Sequence, residues 1–166
     1  MNGSDFFKLA ISIIACEGAG FIGSIFTLKS ITGWYQGLEK PRFTPPERAF
    51  GPVWLTLYLL MAVSLFLVWR QGLIDADVRI GFIIFWIQLV LNVLWSELFF
   101  GLRSPLAGLC NIALLWLAIF VTLVLFFRIS VVAGALLIPY ILWVSIATYL
   151  NAGIWWLNRK TNNLRC

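Results

Sequence analysis

Five apolar stretches, each long enough to cross a lipid bilayer, constrain this chain more than any other feature: roughly Phe6–Leu28, Glu47–Arg70, Arg79–Gly101, Pro105–Phe127 and Val131–Leu157. A spanning helix needs about 20 mostly apolar residues, and in hydrocarbon every backbone polar group must be satisfied internally. The pattern predicts an all-α integral membrane protein, one domain built as a bundle of five transmembrane helices. The links after the second, third and fourth spans are short (Gln71–Val78, Leu102–Ser104 and Arg128–Ser130). Short links force antiparallel neighbours, hence an up-and-down bundle. No internal repeat of the inverted-repeat transporter kind is visible.

Composition agrees. Of 166 residues, 61% are hydrophobic and 11% charged, against about 25% charged in soluble domains. The net charge of +5 does not point to nucleic acid, because the basic residues sit between and beyond the spans and form no stripe. They act as topology determinants and lipid headgroup contacts. Lys8, Arg70, Arg79 and Arg128 fall on the side of the N-terminus. Lys29, Lys40, Arg42, Arg48, Arg103, Arg159, Lys160 and Arg165 fall on the other. This excess predicts that the C-terminus and the first loop face the cytoplasm.

Cys16, Cys110 and Cys166 are widely spaced and odd in number, which argues against a disulfide framework or a zinc site and for small thiols buried in a helical core. The absence of histidine removes the commonest general base and the commonest axial haem ligand. No HExxH, P-loop or dinucleotide fingerprint occurs, so no catalytic residues and no metal site are assigned. A cleavable signal peptide fits poorly, since no basic segment precedes the first span.

The first connection differs from the others. Lys29 to Pro46 reads KSITGWYQGLEKPRFTPP, with three prolines and three aromatic residues. Disordered linkers seldom carry so many aromatics, and prolines lower the entropy lost on ordering. A long, structured loop capping one mouth of the bundle is expected.

Residues that hydrocarbon should reject mark the candidate site. Trp54 and Tyr58 lie one turn apart in the second span. Asn92 and Ser96 do so in the third, with Trp95 beside them. Trp143, Ala147 and Asn151 share one face of the fifth. At 1.5 Å per residue, Trp54, Asn92, Ser96, Ala147 and Asn151 lie about 7–15 Å below the capping loop, in the same half of the membrane. Such groups need partners in the bundle or a cavity, and an apolar cavity with a few convergent polar groups is the usual small-molecule site. Trp69, Trp155 and Trp156 sit at span ends as interfacial anchors, while Trp86 and Trp116 are suited to lipid. Glu17 falls near the middle of the first span with no basic residue at its depth, and Glu97 lies near the end of the third. An intramembrane carboxylate is read as a proton site or ligand contact. Around Glu17, the small residues Ala15, Ala19, Gly20 and Gly23 suit close helix contact, within the chain or in a homodimer.

WYQGLEKPRFTPP at 34–46, then Trp54, LNVLWSELFF at 91–100 and PYILWVSIATYLN at 139–151 together resemble the translocator protein family, also called tryptophan-rich sensory proteins or peripheral benzodiazepine receptors. The resemblance covers essentially the whole chain. It implies a five-helix bundle, often dimeric, with a pocket beneath the first loop. That pocket would bind protoporphyrin IX or other tetrapyrroles, drug-like isoquinoline carboxamides and benzodiazepines and, in animals, cholesterol. Carried over by motif position, it would comprise Tyr35, Pro45, Trp54, Tyr58, Asn92, Ser96, Trp143, Ala147 and Leu150, with Trp95 alongside. Without histidine, a free-base porphyrin is easier to accommodate than haem, and no cofactor is required. Light-dependent porphyrin degradation, or a lipid-binding oligomeric scaffold, are the alternatives the resemblance offers. One departure stands out: LNAGIWWLNR at 150–159 has Ala152 and Gly153 where animal members carry tyrosines. The likeness is therefore to bacterial members of a cell membrane.

Overall fold

A computed structural model describes residues 2–162, apart from the side chains of Glu47, Lys160, Thr161 and Asn162. Arg165 and Cys166 lie outside the described residues. Among those described, regular structure is entirely helical: α1 (Gly3–Ile31), α2 (Glu47–Trp69), α3 (Ala76–Ser96) running into a π-helical turn (Glu97–Gly101), α4 (Pro105–Ile129), α5 (Val131–Leu136) and α6 (Ile138–Asn162). Five helices are long and apolar enough to span a membrane, the fifth being α5 and α6 together. The protein is a five-helix membrane bundle.

Local chemistry sets most of the boundaries. Asp5 accepts the Asn2 N–H at 3.3 Å at the start of α1, Asp75 caps α3 through Asp77 and Val78, and Ser104 caps α4, where Pro105 fills the first turn. Two of the predicted spans are not simple helices. The third ends in the π turn, whose extra residue turns both Phe99 and Phe100 inward. There Ser30 Oγ donates to the Phe100 carbonyl at 2.7 Å. The fifth breaks at Leu137 because Pro139 has no N–H to continue the ladder. α1 also runs to Ile31, so the first three residues of the expected capping loop are helical.

α1 packs against α2 and α3, α3 against α4, and α4 against α5 and α6, while α5 returns to α2. α2 meets α6 only sparsely. α2 therefore meets the fifth span mainly through α5. Large apolar side chains such as Phe6, Ile14, Leu55, Leu114 and Leu142 face outward, as lipid requires. Cys16 is buried as expected, but Cys110 is exposed: it lies on the outward face of α4 beside Leu106 and Leu114.

Candidate functional site

A cavity of about 530 Å³ lies between α1, α2 and the end of α3. One wall is a stripe on α1 (Glu17, Gly20, Ser24, Thr27 and Ile31, with Gly23 and Phe21), spaced three and four residues apart so that all face one way. The opposite wall is Phe50, Gly51, Trp54, Leu55 and Tyr58 of α2, and Trp95, Ser96 and Phe100 close the side. Two glycines are required by close approach. A Cβ on Gly20 would come within 2.5 Å of the Tyr58 ring, and one on Gly23 within 3.1 Å of Ser96 Oγ. Gly20 and Gly23 of the small-residue stripe thus make close contacts within the chain. Phe21, Leu28 and Leu55 are exposed on the rim, so the cavity opens sideways between α1 and α2.

The aromatic wall is ordered by its own contacts. Trp54 stacks on Tyr58 with centroids 5.5 Å apart and planes at 29°, and Tyr140 meets Trp54 edge-on at 6.3 Å. Such pairs contribute about 0.5–1.5 kcal/mol beyond area burial. The Tyr58 hydroxyl donates to Asn92 Oδ1. Asn92 Nδ2 donates to the Tyr140 hydroxyl at 2.8 Å, which donates to Gln88 Oε1 at 2.9 Å. The ring of Tyr58 therefore lines the cavity while its hydroxyl anchors a buried polar chain. Asn92 lies behind the wall, with both ends of its amide engaged.

Behind Trp95, Phe99 and Phe100 is a second, nearly filled void of about 20 Å³, lined by Tyr35, Phe50, Trp95, Ala147, Leu150 and Asn151 among others. Phe50, Trp95 and Phe100 border both spaces and separate them as an aromatic partition. Trp95 is held by its indole N–H, which donates to Asn151 Oδ1 at 3.0 Å; Asn151 in turn donates to the Pro105 carbonyl at 2.7 Å.

The first loop borders the small void through Tyr35. Tyr35 is buried against Phe99 and Phe100, with Lys40 Nζ 4.7 Å from its ring centroid. Asn158 of α6 clasps the backbone of Glu39, accepting its N–H at 3.1 Å and donating to its carbonyl at 3.0 Å. Pro41 seats on Gly153 so closely that a Cβ there would lie 2.3 Å from Pro41 Cγ. Gly153 thus has a structural role: it is where the loop docks.

The sequence-derived residues fall into three places. Trp54, Tyr58, Trp95 and Ser96 line the large cavity. Tyr35, Ala147 and Leu150 line the small void. Asn92 is buried between two tyrosines, Trp143 packs edge-on against Phe50 at 5.7 Å with its buried indole N–H unpartnered, and Pro45 is half-buried in the loop and borders neither space. Phe50, Phe100 and the α1 wall apart from Glu17, which the sequence marks as a proton site or ligand contact, were not foreseen. A signal for that wall existed in the 17, 20, 24, 27 spacing of polar and small residues.

The sequence pattern of the TspO/MBR family matches residues 12–157. A tryptophan-rich protein TspO of Chlorobaculum tepidum is 46% identical over 150 residues, covering 90% of this chain and 95% of the relative. One of Archaeoglobus fulgidus is 46% identical over 151 residues, covering 91% and 97%. The human translocator protein is 38% identical over 138 residues, covering 81% and 80%. With the five-helix bundle, these matches establish that the chain belongs to the TspO/MBR family.

Proposed function

We propose that this protein binds porphyrins, protoporphyrin IX or a related tetrapyrrole, and other flat hydrophobic molecules in the cavity between α1 and α2, acting as a membrane receptor or transporter. The observation that carries the reading is an aromatic-walled space of about 530 Å³ inside the apolar bundle, within the roughly 300–1,000 Å³ of small-molecule sites. A flat ring system would lie along the Trp54–Tyr58 face, with the glycines of α1 allowing close approach from the other side. Carboxylates at one edge of the ligand would point toward Lys40, Arg42 and Arg48, at the loop end of the bundle. The same reading puts that end, with the C-terminus, on the cytoplasmic side of a bacterial membrane.

The test is protoporphyrin binding to the purified protein in detergent, followed by quenching of tryptophan fluorescence. Trp54→Ala removes the stacking face and should weaken binding about tenfold, the equivalent of 1.4 kcal/mol. Gly51→Phe should sharply weaken binding without unfolding the bundle, since Gly51 lines the cavity, a Cβ there meets open space, and the added ring would take up part of the ligand's room beside Trp54. Unchanged affinity in both variants rejects this cavity as the site.

A further inference from the structure

Glu17 remains unexplained by aromatic stacking. It lies midway along α1, fourteen residues before Ile31, so about 21 Å below the loop end at 1.5 Å per residue. It lines the cavity at its inner end, opposite Tyr58. Among the described residues its carboxyl makes no hydrogen bond or ion pair. Ser24 and Thr27, the other polar groups of that wall, donate back to their own helix, to the Phe21 and Gly23 carbonyls at 2.7 and 3.2 Å, and leave Glu17 alone. The nearest cation along the helix, Lys8, is nine residues away and donates to the Trp69 carbonyl at 3.4 Å. The basic residues of the other spans (Arg48, Arg79, Arg128 and Arg159) all sit near helix ends. A second copy of the chain would have the same distribution, so it has no cation to offer at the midplane either.

An acid placed in hydrocarbon is costly. Packing does not call for it, since Glu17 is only half-buried and the close approach of α1 to α2 is made by Gly20. What Glu17 can supply is a strong acceptor, or an acid, aimed into a ligand-sized space that otherwise has little polarity. We propose that Glu17 is the specificity-determining residue of the cavity, selecting flat aromatic ligands that carry a basic nitrogen and orienting that nitrogen inward. A carboxyl and an amine form the same charge-assisted hydrogen bond whichever of them brings the proton, and such bonds are roughly twice as strong as neutral ones. The low dielectric strengthens the pair further. The same group disfavours ligands that enter carboxylate-first, so an acidic edge is left facing the basic loop end. The proposal rests on the cavity being a ligand site, and it adds a polarity to that site.

The test uses a matched pair of fluorescent probes on the full-length protein in detergent: dansylcadaverine, a naphthalene fluorophore carrying a basic aliphatic amine, and its N-acetyl derivative, which keeps the ring and turns that amine into a neutral amide. The native protein should bind the amine at least tenfold more tightly. Glu17→Gln, close in shape, should abolish that preference while leaving the acetylated probe within about twofold of its native affinity. Equal binding of the two probes by the native protein, or a preference that survives Glu17→Gln, overturns the proposal. Gly51→Phe separates this failure from failure of the cavity itself: if it blocks the acetylated probe, the cavity is a ligand site whatever Glu17 does. If both probes bind Gly51→Phe as they bind the native protein, the cavity reading falls and this proposal falls with it.

Discussion

The seam joining α3, α4 and α6 and the cleft between α1 and α2 are built from similar residues and behave oppositely. Along the seam, amides bridge helices. Asn151 joins Trp95 to the Pro105 carbonyl, Asn111 reaches the Leu91 carbonyl at 2.8 Å, and Asn92 links tyrosines of α2 and α6. On the α1 wall of the cleft, the Ser24 and Thr27 hydroxyls return to their own helix. α1 is tied by Lys8 to the Trp69 carbonyl at one end and by Ser30 to the Phe100 carbonyl at the other. Among the described residues no polar side chain bridges α1 to α2 between those ties. In lipid the hydrophobic effect does not favour one helix contact over another, so hydrogen bonds and close packing decide where a bundle shuts. The seam is the scaffold, and the cleft is the part left able to admit a ligand.

Asn151→Ala breaks this comparison most directly. It leaves the buried Trp95 indole N–H without its partner, at a desolvation cost of about 1–3 kcal/mol, and removes the tie to the Pro105 carbonyl, which keeps its helical bond within α4. Interhelical bonds in membranes average nearer 0.6 kcal/mol, with a maximum near 1.7. A loss of about 2 kcal/mol is expected in an unfolding titration with sodium dodecyl sulfate. Gly51→Phe, in the cleft, should leave that titration unchanged. A loss below 0.5 kcal/mol for Asn151→Ala would show that the seam is no scaffold.

The seam and the cleft were also unequally legible in the sequence. The spans could be read because hydrocarbon forbids charge over about 20 residues, and Trp54 and Ser96 could be placed in the same half of the membrane because helix rise is fixed. Depth alone does not say which way a polar side chain finds its partner. Asn92 and Asn151 look alike in sequence to ligand contacts, yet both are spent on other helices. The α1 wall was obscured for the opposite reason: glycines carry no chemistry, and their role appears only when Tyr58 and Ser96 are seen against them. The π turn and the docking of Pro41 on Gly153 depend on tertiary contacts that no local pattern encodes.

The loop sharpens the comparison, since it spans both regions and is held by the seam side through α6. Gly153→Tyr would put a side chain where Pro41 Cγ now lies, 2.3 Å from the Cβ position, and would lift the loop off α6. The Asn158 clasp on Glu39 would be strained in the same movement. Cleavage by trypsin after Arg42 should accelerate about tenfold, equivalent to roughly 1.4 kcal/mol of local opening, with the bundle's own unfolding unaffected. An unchanged cleavage rate would mean that Tyr35, buried under Phe99 and Phe100, holds the loop without help from α6.

The smallest expected effect tests whether burial is what gives the seam its strength. Trp116 on α4 donates its indole N–H to Ser145 Oγ of α6 at 2.8 Å, a bond between the same two helices that Asn151 helps to join, but on the outward face. Trp116→Phe deletes that donor and keeps the ring on Phe120, where the two are stacked at 5.6 Å with planes at 5°. Ser145 would not be stranded, because its hydroxyl also donates to the Ile141 carbonyl at 2.8 Å. No buried group loses its only partner, so the cost should stay near the 0.6 kcal/mol average for interhelical bonds, against about 2 kcal/mol for Asn151→Ala. The same detergent titration measures both. If Trp116→Phe costs as much as Asn151→Ala, the bundle is held at its lipid-facing surface as firmly as at its centre, and the contrast between a closed interior seam and an open cleft loses its physical basis.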